Sequence, residues 1–183
     1  MKNLILAVLP FVAAFALVGN LQAAGKPKVH FKTNMGDFTI ELEPDRAPQT
    51  VENFLQYVRD GHYDGLVFHR VIKAFMIQGG GFDTNYERRP TRAPIENEAD
   101  KGIPNERGTI AMARTNDPHS ATDQFFINAK FNGFLNHRSK SGRGWGYTAF
   151  GRVIDGMNIV GRISRVETGS GGPFPTDVPA KQI

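Results

Sequence analysis

The chain has 183 residues, of which 40% are hydrophobic and 22% charged, enough for one domain with a sizeable core. Its net charge of +4 includes no basic run longer than Arg88-Arg89, so the composition does not favour a nucleic-acid partner. Cysteine is absent, which excludes disulfides, thiolate catalysis and cysteine-ligated zinc.

Residues 1–24 have the pattern of a secretory signal peptide. Lys2 gives a positively charged start, Leu4 to Val18 is an apolar run of 15 residues, and small residues end the segment. A membrane span is the alternative, but the run is shorter than the roughly 20 residues that cross a bilayer. We therefore expect cleavage near Ala23 or Ala24, one domain over residues 25–183, a periplasmic location and no stable membrane anchor.

The next two elements are predicted to be a β-hairpin and a helix. Residues 29–33 and 38–42 flank a polar turn, and the second segment alternates apolar and polar side chains. From Pro48 onward the apolar residues recur with helical spacing until Gly61. This helix is expected to cover an open end of a sheet.

The remainder of the chain reads as short strands separated by glycine-rich and polar loops. Apolar runs that favour strands occur at residues 66–72, 109–113, 124–127 and 148–153. Residues 157–163 predict a second short helix, and residues 169–175 are interpreted as a surface loop. Many short strands of this kind are typical of a barrel or a sandwich.

Residues 68–82, with the sequence FHRVIKAFMIQGGGF, carry the most informative local pattern. A site for a proline ring needs an apolar concave wall and a few hydrogen-bond donors aimed at the flanking amides. Phe75 and Met76 could supply the wall, and Arg70 and Gln78 the donors. Taken alone, each of these residues is more often an ordinary core or surface residue than part of a site.

Read together with residues 108–129 and 134–153, this segment resembles the cyclophilins. The motifs FHRVI, FMIQGG, SATDQFFI, FL and FG occur in order within a stretch from about Val29 to Pro179. The loop NEADKGIPNERGTIAMART is similar to bacterial members. The resemblance implies a mainly β fold, an eight-stranded antiparallel barrel capped by two helices. The final strand is expected to be short or missing, because only Ala180 to Ile183 follow Pro179.

The activity implied by the resemblance is peptidyl-prolyl cis/trans isomerisation. Rotation about the X-Pro bond must cross a barrier of roughly 18–20 kcal/mol, but it makes and cleaves no covalent bond. It therefore requires no cofactor and no metal, and the histidines share no metal-binding spacing such as HExxH. By resemblance Arg70 is the catalytic donor that favours the twisted proline nitrogen. The expected partners are proline-containing unfolded or partly folded polypeptides.

The resemblance also assigns a set of substrate-binding residues: His69, Phe75, Met76, Gln78, Ala113, Arg114, Thr115, Gln124, Phe126, Phe134, Leu135 and Tyr147. The apolar side chains that resemble the proline-ring pocket are Phe75, Met76, Phe126 and Leu135, and the two glutamines resemble groups that fix the peptide backbone. Residues 113–115 are similar to the part of the family site that binds the residues ahead of proline. His69 is expected at the pocket edge. Barrel core remains the alternative for Phe126 and Leu135, and a loop-bracing role remains the alternative for the glutamines.

Three positions depart from the eukaryotic pattern. Phe134 stands where a tryptophan contacts cyclosporin, Tyr147 where a histidine lies, and Arg114 where an asparagine lies. Loss of the indole removes a donor and apolar area, so weak cyclosporin binding is expected while catalysis is kept. The alternative function is a proline-peptide-binding chaperone module with little turnover; the presence of Arg70 favours the enzyme.

Overall fold

A computed structural model describes residues 25–183, and the predicted signal peptide at residues 1–24 lies outside this range. Its elements in chain order are β1 (Lys28–Thr33), β2 (Gly36–Leu42), α1 (Pro48–Arg59), β3 (Arg70–Ile72), β4 (Met76–Gly79), β5 (Thr109–Met112), β6 (Phe125–Asn128), β7 (Ala149–Asp155), α2 (Met157–Ile163), β8 (Thr168–Gly171) and β9 (Phe174–Pro179). Short 3₁₀ turns lie at Gly133–Leu135 and Gly142–Trp145. Neither α-helix is long and apolar enough to cross a membrane.

The strands form a curled antiparallel sheet and a separate hairpin. Seven strands lie in the order β1-β2-β7-β5-β6-β4-β3, and β8 pairs only with β9 among the described residues. The mainly β fold with two helices is therefore confirmed, although seven strands and a hairpin replace the predicted eight. The hairpin corrects the predicted surface loop at residues 169–175. Its glycines and irregular register between Gly169 and Gly171 conceal the strand pattern.

The central strands of the sheet divide their side chains between two faces, because successive residues of a strand point to opposite sides. The side chains that enter the main core from strands β4 to β7 are Ile77, Ile110, Met112, Phe125, Ile127 and Phe150. Those on the outer face form a second, smaller cluster that includes Met76, Ala111, Phe126 and Ala149. The outer cluster is where the candidate site lies.

Helix α1 covers the main core. The ring centroid of Phe54, which is fully buried, lies 5.8 Å from that of Phe125 and 5.2 Å from that of Phe150. Val51 is also buried, whereas Leu55 is partly exposed. The helical spacing read from the sequence thus placed the core-facing side of α1 correctly.

A distant carboxylate satisfies the first amides of α1. Ala47 precedes the helix and provides no side-chain cap. Instead, the Glu98 carboxylate accepts hydrogen bonds from the backbone amides of Thr50 at 2.8 Å and Gln49 at 3.2 Å. The Thr50 hydroxyl donates to the same carboxylate at 2.7 Å. The start of the helix is therefore fixed to the segment that follows residue 96.

The outermost strands of the sheet, β1 and β3, form no hydrogen-bonded pair with a further strand on their outer sides within residues 25–183. The region predicted as a strand at 66–72 forms one only from Arg70, and Leu66 makes an isolated bridge to Asp83. After Pro179 the chain contributes single hydrogen bonds rather than a strand, such as the Phe68 amide donating to the Ile183 carbonyl at 2.9 Å. A cavity of about 480 Å³ lies at this boundary.

Candidate functional site

A cleft of about 160 Å³ opens on the outer face of the sheet. Its walls consist of Arg70, Phe75, Met76, Gln78, Ala113, Arg114, Phe126, Leu135 and Tyr147. The larger cavity beside β1 has no arginine in its walls, and its charged lining residue is Lys32. The smaller cleft differs in that it combines an apolar surface with two arginines and a glutamine, a set of donors suited to a peptide ligand.

The floor of the cleft is apolar and well packed. Met76, Phe126 and Leu135 are 2%, 5% and 9% exposed. The ring of Tyr147 meets that of Phe126 edge-on, with centroids 5.6 Å apart. Phe75 lies at the side of the cleft, in the tight turn between β3 and β4. These side chains create a concave wall of the size and polarity that a proline ring would fill.

The polar edge of the cleft is formed by β3 and β4. Arg70 and Gln78 are directly opposite each other in the antiparallel pair. The Gln78 side-chain amide donates to the Gln124 side-chain oxygen at 3.0 Å. Gln124 is therefore linked to the cleft through Gln78, although it does not itself line the cavity. The Arg70 side chain is 46% exposed, which leaves its guanidinium accessible to a ligand.

Arg114 is tied to the protein at a second edge of the cleft. Its guanidinium carbon lies 4.6 Å from the centroid of the Tyr147 ring. Its Nε donates to the Gly146 carbonyl at 2.9 Å, and one terminal nitrogen donates to the Thr115 carbonyl at 2.9 Å. Thr115 itself points to Ser120, with the two hydroxyl oxygens 2.8 Å apart. Arg114 thus contributes a fixed wall, and Thr115 braces an exposed turn beside it.

Phe134 and His69 lie outside the cavity lining. Phe134 is 59% exposed and stacks on Phe75 with centroids 5.6 Å apart, so it forms part of the rim.

His69, in contrast, is only 2% exposed, and its ring centroid lies 4.7 Å from that of Phe82 and 5.5 Å from that of Phe174. The expected position of His69 at the pocket edge is corrected: its neighbour Arg70 faces the cleft and His69 faces away. Burial lowers the pKa of His69 to about 4.

Four asparagines form a hydrogen-bond network behind the cleft wall. The Asn132 side-chain amide donates to the Phe75 carbonyl at 3.0 Å and to the Asn128 side-chain oxygen at 2.7 Å. Asn128 donates to the Asn105 side-chain oxygen at 3.1 Å. Asn105 in turn donates to Asn136 at 3.1 Å. The network joins the turn that carries Phe75 to the segment that carries Leu135.

A second buried contact lies directly before Gln124. The Asp123 carboxylate oxygen is 3.1 Å from Nε2 of His62, and the two side chains are 1% and 9% exposed. Gly81 faces the Gln124 side chain so closely that a Cβ there would lie 2.6 Å from it. Gln124 is therefore held between a buried ionisable pair and a position that only glycine can occupy without displacing it.

Sequence reasoning did not identify the asparagine network or Asp177, whose carboxylate lies 3.4 Å from Nε of Arg70. One signal for the network was present, because Asn128 interrupts an otherwise apolar strand as the last residue of FFIN. A buried polar side chain in such a strand must find partners. Asp177 carried no comparable signal, since it lies more than 100 positions from Arg70 in the sequence.

The fold and the cleft together define a cyclophilin. Residues 28–183 match the family profile described as cyclophilin type peptidyl-prolyl cis-trans isomerase. The chain therefore belongs to this family, and its enzymatic activity is the cis-trans isomerisation of peptidyl-prolyl bonds. The resemblance read from the sequence is confirmed at this level.

Its relatives include bacterial isomerases and cyclophilins of known structure. The chain is 57% identical to peptidyl-prolyl cis-trans isomerase cyp18 of Streptomyces antibioticus, covering 85% of this chain and 93% of that protein. It is 52% identical to isomerase B of Escherichia coli K12, covering 85% and 94%. A Cryptosporidium parvum cyclophilin, determined in the presence of the dipeptide Ala-Pro, is similar with a TM-score of 0.68 and 25% identity, covering 85% and 93%.

Proposed function

We propose that this isomerase binds X-Pro segments in the outer-face cleft and accelerates their rotation with Arg70 as the donor to the proline nitrogen. The observation that carries the proposal is the position of Arg70 and Gln78 at one edge of an apolar floor. The related Cryptosporidium cyclophilin, determined with Ala-Pro present, supports proline peptides as ligands. Met76, Phe126 and Leu135 would hold the ring while the preceding carbonyl turns.

The physical role of Arg70 would be electrostatic. As the X-Pro bond twists, amide resonance is lost and the proline nitrogen becomes a better hydrogen-bond acceptor. A guanidinium donor placed at that nitrogen stabilises the twisted amide more than the planar one, which is the requirement for catalysis. Gln78, linked to Gln124, would bind the peptide backbone on either side of the rotating bond. No group in this scheme changes its protonation state.

The decisive experiment compares Arg70→Ala with the wild type in an assay of a short X-Pro peptide. We expect turnover to fall by about 10²–10³-fold, as for other preorganised transition-state donors. The fold should persist because the Arg70 side chain is half exposed. Arg165→Ala is a matched control, since Arg165 is exposed and follows α2, outside the cleft lining. A folded Arg70→Ala protein with near-normal turnover would refute the mechanism.

The same assay distinguishes an enzyme from a chaperone that only binds proline peptides. Peptide affinity and turnover should be measured on the same mature chain. Tight binding without acceleration of the X-Pro bond would favour the chaperone.

We further propose that the enzyme acts in the periplasm on exported proteins. The support is the sequence of residues 1–24, with its charged start, apolar run and small-residue end. Mass spectrometry of an envelope fraction should find a soluble chain that lacks about 23 residues. An intact N-terminus retained in the membrane would contradict this proposal.

A further inference from the structure

The C-terminal hairpin contacts the residue that the proposed function places at the centre of catalysis. Asp177 on β9 lies beside Arg70 on β3, with its carboxylate oxygen 3.4 Å from Nε of the guanidinium. This is the one side-chain partner of Arg70 within residues 25–183. Because only Nε is engaged, both terminal nitrogens of Arg70 stay available on the side that lines the cleft.

The backbone at Asp177 adopts an unusual conformation. Its φ angle is +68°, in the left-handed region that costs free energy for residues with a Cβ atom. Aspartate tolerates this region better than most residues, yet an irregular conformation inside a strand still needs support from its surroundings. Backbone strain of this kind is found at functional positions more often than elsewhere.

The residues around Asp177 provide that support. Val178 is only 3% exposed and packs against Gly171 on β8, where a Cβ would lie 2.8 Å from the Val178 side chain. Phe174 anchors the start of β9 by packing on His69 and Phe82. The hairpin is therefore fixed on both sides of Asp177, and its carboxylate is presented to Arg70 by a rigid frame.

The pair contributes little to the stability of the fold. The Arg70 and Asp177 side chains are 46% and 32% exposed, and ion pairs at such positions add little free energy of folding. A long arginine side chain on an edge strand otherwise samples many rotamers, and holding one of them in advance removes that cost from the reaction. The position of the carboxylate thus fits a role in orientation.

We propose that Asp177 is a positioning residue that orients the Arg70 guanidinium toward the twisted X-Pro bond. The inference rests on the proposed role of Arg70. Asp177 does not touch the substrate in this scheme; it accepts the Nε hydrogen bond and fixes the direction of the two terminal nitrogens. It deepens the proposed mechanism by assigning the C-terminal hairpin a part in it.

The test is a double-mutant cycle of Asp177→Asn and Asp177→Gly with Arg70→Ala. Asparagine keeps the shape but removes the charge, and glycine removes the acceptor while accepting the left-handed backbone. With Arg70 present, Asp177→Gly should lower kcat by about three- to tenfold, the size expected from releasing one ordered side chain, with KM nearly unchanged. Asp177→Asn keeps an acceptor oxygen and loses only the charge-assisted part of the hydrogen bond, so its loss should be smaller. With Arg70→Ala, neither should cause a further loss.

Asp37→Asn is a control for the change in charge, since Asp37 pairs with His30 on the β1–β2 hairpin and does not line the cleft. It should leave kcat unchanged. An equal loss from Asp177→Gly in both Arg70 backgrounds would show a purely structural role and overturn the inference, as would unchanged or increased turnover of Asp177→Gly with Arg70 present. If Arg70→Ala itself retained full turnover, the proposed mechanism would fail first and the role of Asp177 with it. If Arg70→Ala lost turnover but Asp177→Gly did not, the mechanism would stand and this inference alone would fall.

Discussion

Phe125 and Phe126 are adjacent on β6, are the same type of residue and are almost equally buried, yet they belong to different parts of the molecule. Phe125 packs in the main core against Phe31, Phe54 and Tyr63, whereas Phe126 lies in the floor of the cleft beside Tyr147. The inner face of the sheet packs the main core, and the outer face of the same strands forms the candidate site. Burial alone does not distinguish the two roles; the direction of the side chain does.

The strongest test of this comparison replaces each phenylalanine separately with alanine. Phe125→Ala should lower the free energy of unfolding by about 3–5 kcal/mol, the usual loss for a fully buried Phe. Phe126→Ala should cost less stability, because its ring borders an open cleft, but should weaken proline-peptide binding at least tenfold, or about 1.4 kcal/mol. Denaturant titration and peptide binding measure the two quantities. Equal stability losses with unchanged peptide affinity for Phe126→Ala would show that the faces are not functionally distinct.

His69 and Arg70 repeat the same alternation, and His69 makes it visible in the pH dependence of stability. Its pKa is about 4 in the folded chain, below the ordinary value of 6.5, because it is buried. Between these values the unfolded chain binds a proton at His69 and the folded chain does not. Stability should therefore fall as the pH drops from about 6.5 to about 4, by up to about 3 kcal/mol in total.

The His69→Phe variant separates this contribution from that of the carboxylates. Phenylalanine keeps an aromatic ring among Phe82 and Phe174 but cannot bind a proton. The difference in unfolding free energy between variant and wild type should change over this pH range and be constant above it. A difference that does not vary with pH would mean that His69 is protonated as readily in the folded chain as in the unfolded one.

A smaller effect is expected from the network behind the cleft. Asn132→Asp removes the amide donor that binds the Phe75 carbonyl and the Asn128 side-chain oxygen. It places a carboxylate oxygen opposite these two acceptors. The lost hydrogen bonds at a fully buried side chain should cost about 1–3 kcal/mol of stability. Because Phe75 is then less firmly held, KM for a proline peptide should rise as well. A stability loss with wild-type KM would restrict the network to a structural role.

The smallest predicted change concerns the rim. Phe134→Trp restores an indole donor at an exposed position, so cyclosporin should inhibit the variant at concentrations up to about tenfold lower than the wild type, as one hydrogen bond allows. Turnover of a proline peptide without the drug should be unchanged, since Phe134 does not line the cleft. Equal inhibition of both proteins in a titration would show that Phe134 does not set cyclosporin sensitivity.

The sequence predicted those features that follow from local spacing. Helix α2 was predicted at its observed bounds, and α1 began at Pro48 as expected, because the apolar periodicity of each helix is undisturbed. The nine lining residues of the cleft were all among the predicted site residues, through the resemblance of their motifs to the family. The hairpin at residues 168–179 was not predicted, since its glycines and prolines are typical of a loop. Its position depends on contacts with distant residues, such as the packing of Phe174 on His69 and Phe82.

The features that sequence could not predict depend on side chains brought together from distant positions. His69 was expected beside Arg70 at the cleft because the two are neighbours in the motif. It turns away because it lies directly before β3, where successive extended residues point to opposite sides, and because Phe174, from the far end of the chain, provides an aromatic surface for it. The contact of Asp177 with Arg70 depends in addition on a left-handed backbone angle that no local pattern indicates.

The capping of α1 by Glu98 has a consequence for the order in which the chain folds. The carboxylate that satisfies the Gln49 and Thr50 amides comes from 48 residues or more further along the chain. A growing chain that ends before residue 98 lacks this group, so the first turn of α1 should fray, as helix ends without partners do. In the complete domain these two amides should exchange with solvent only when the loop after residue 96 detaches. Hydrogen exchange at Thr50 therefore reports the docking of that loop rather than the intrinsic stability of the helix.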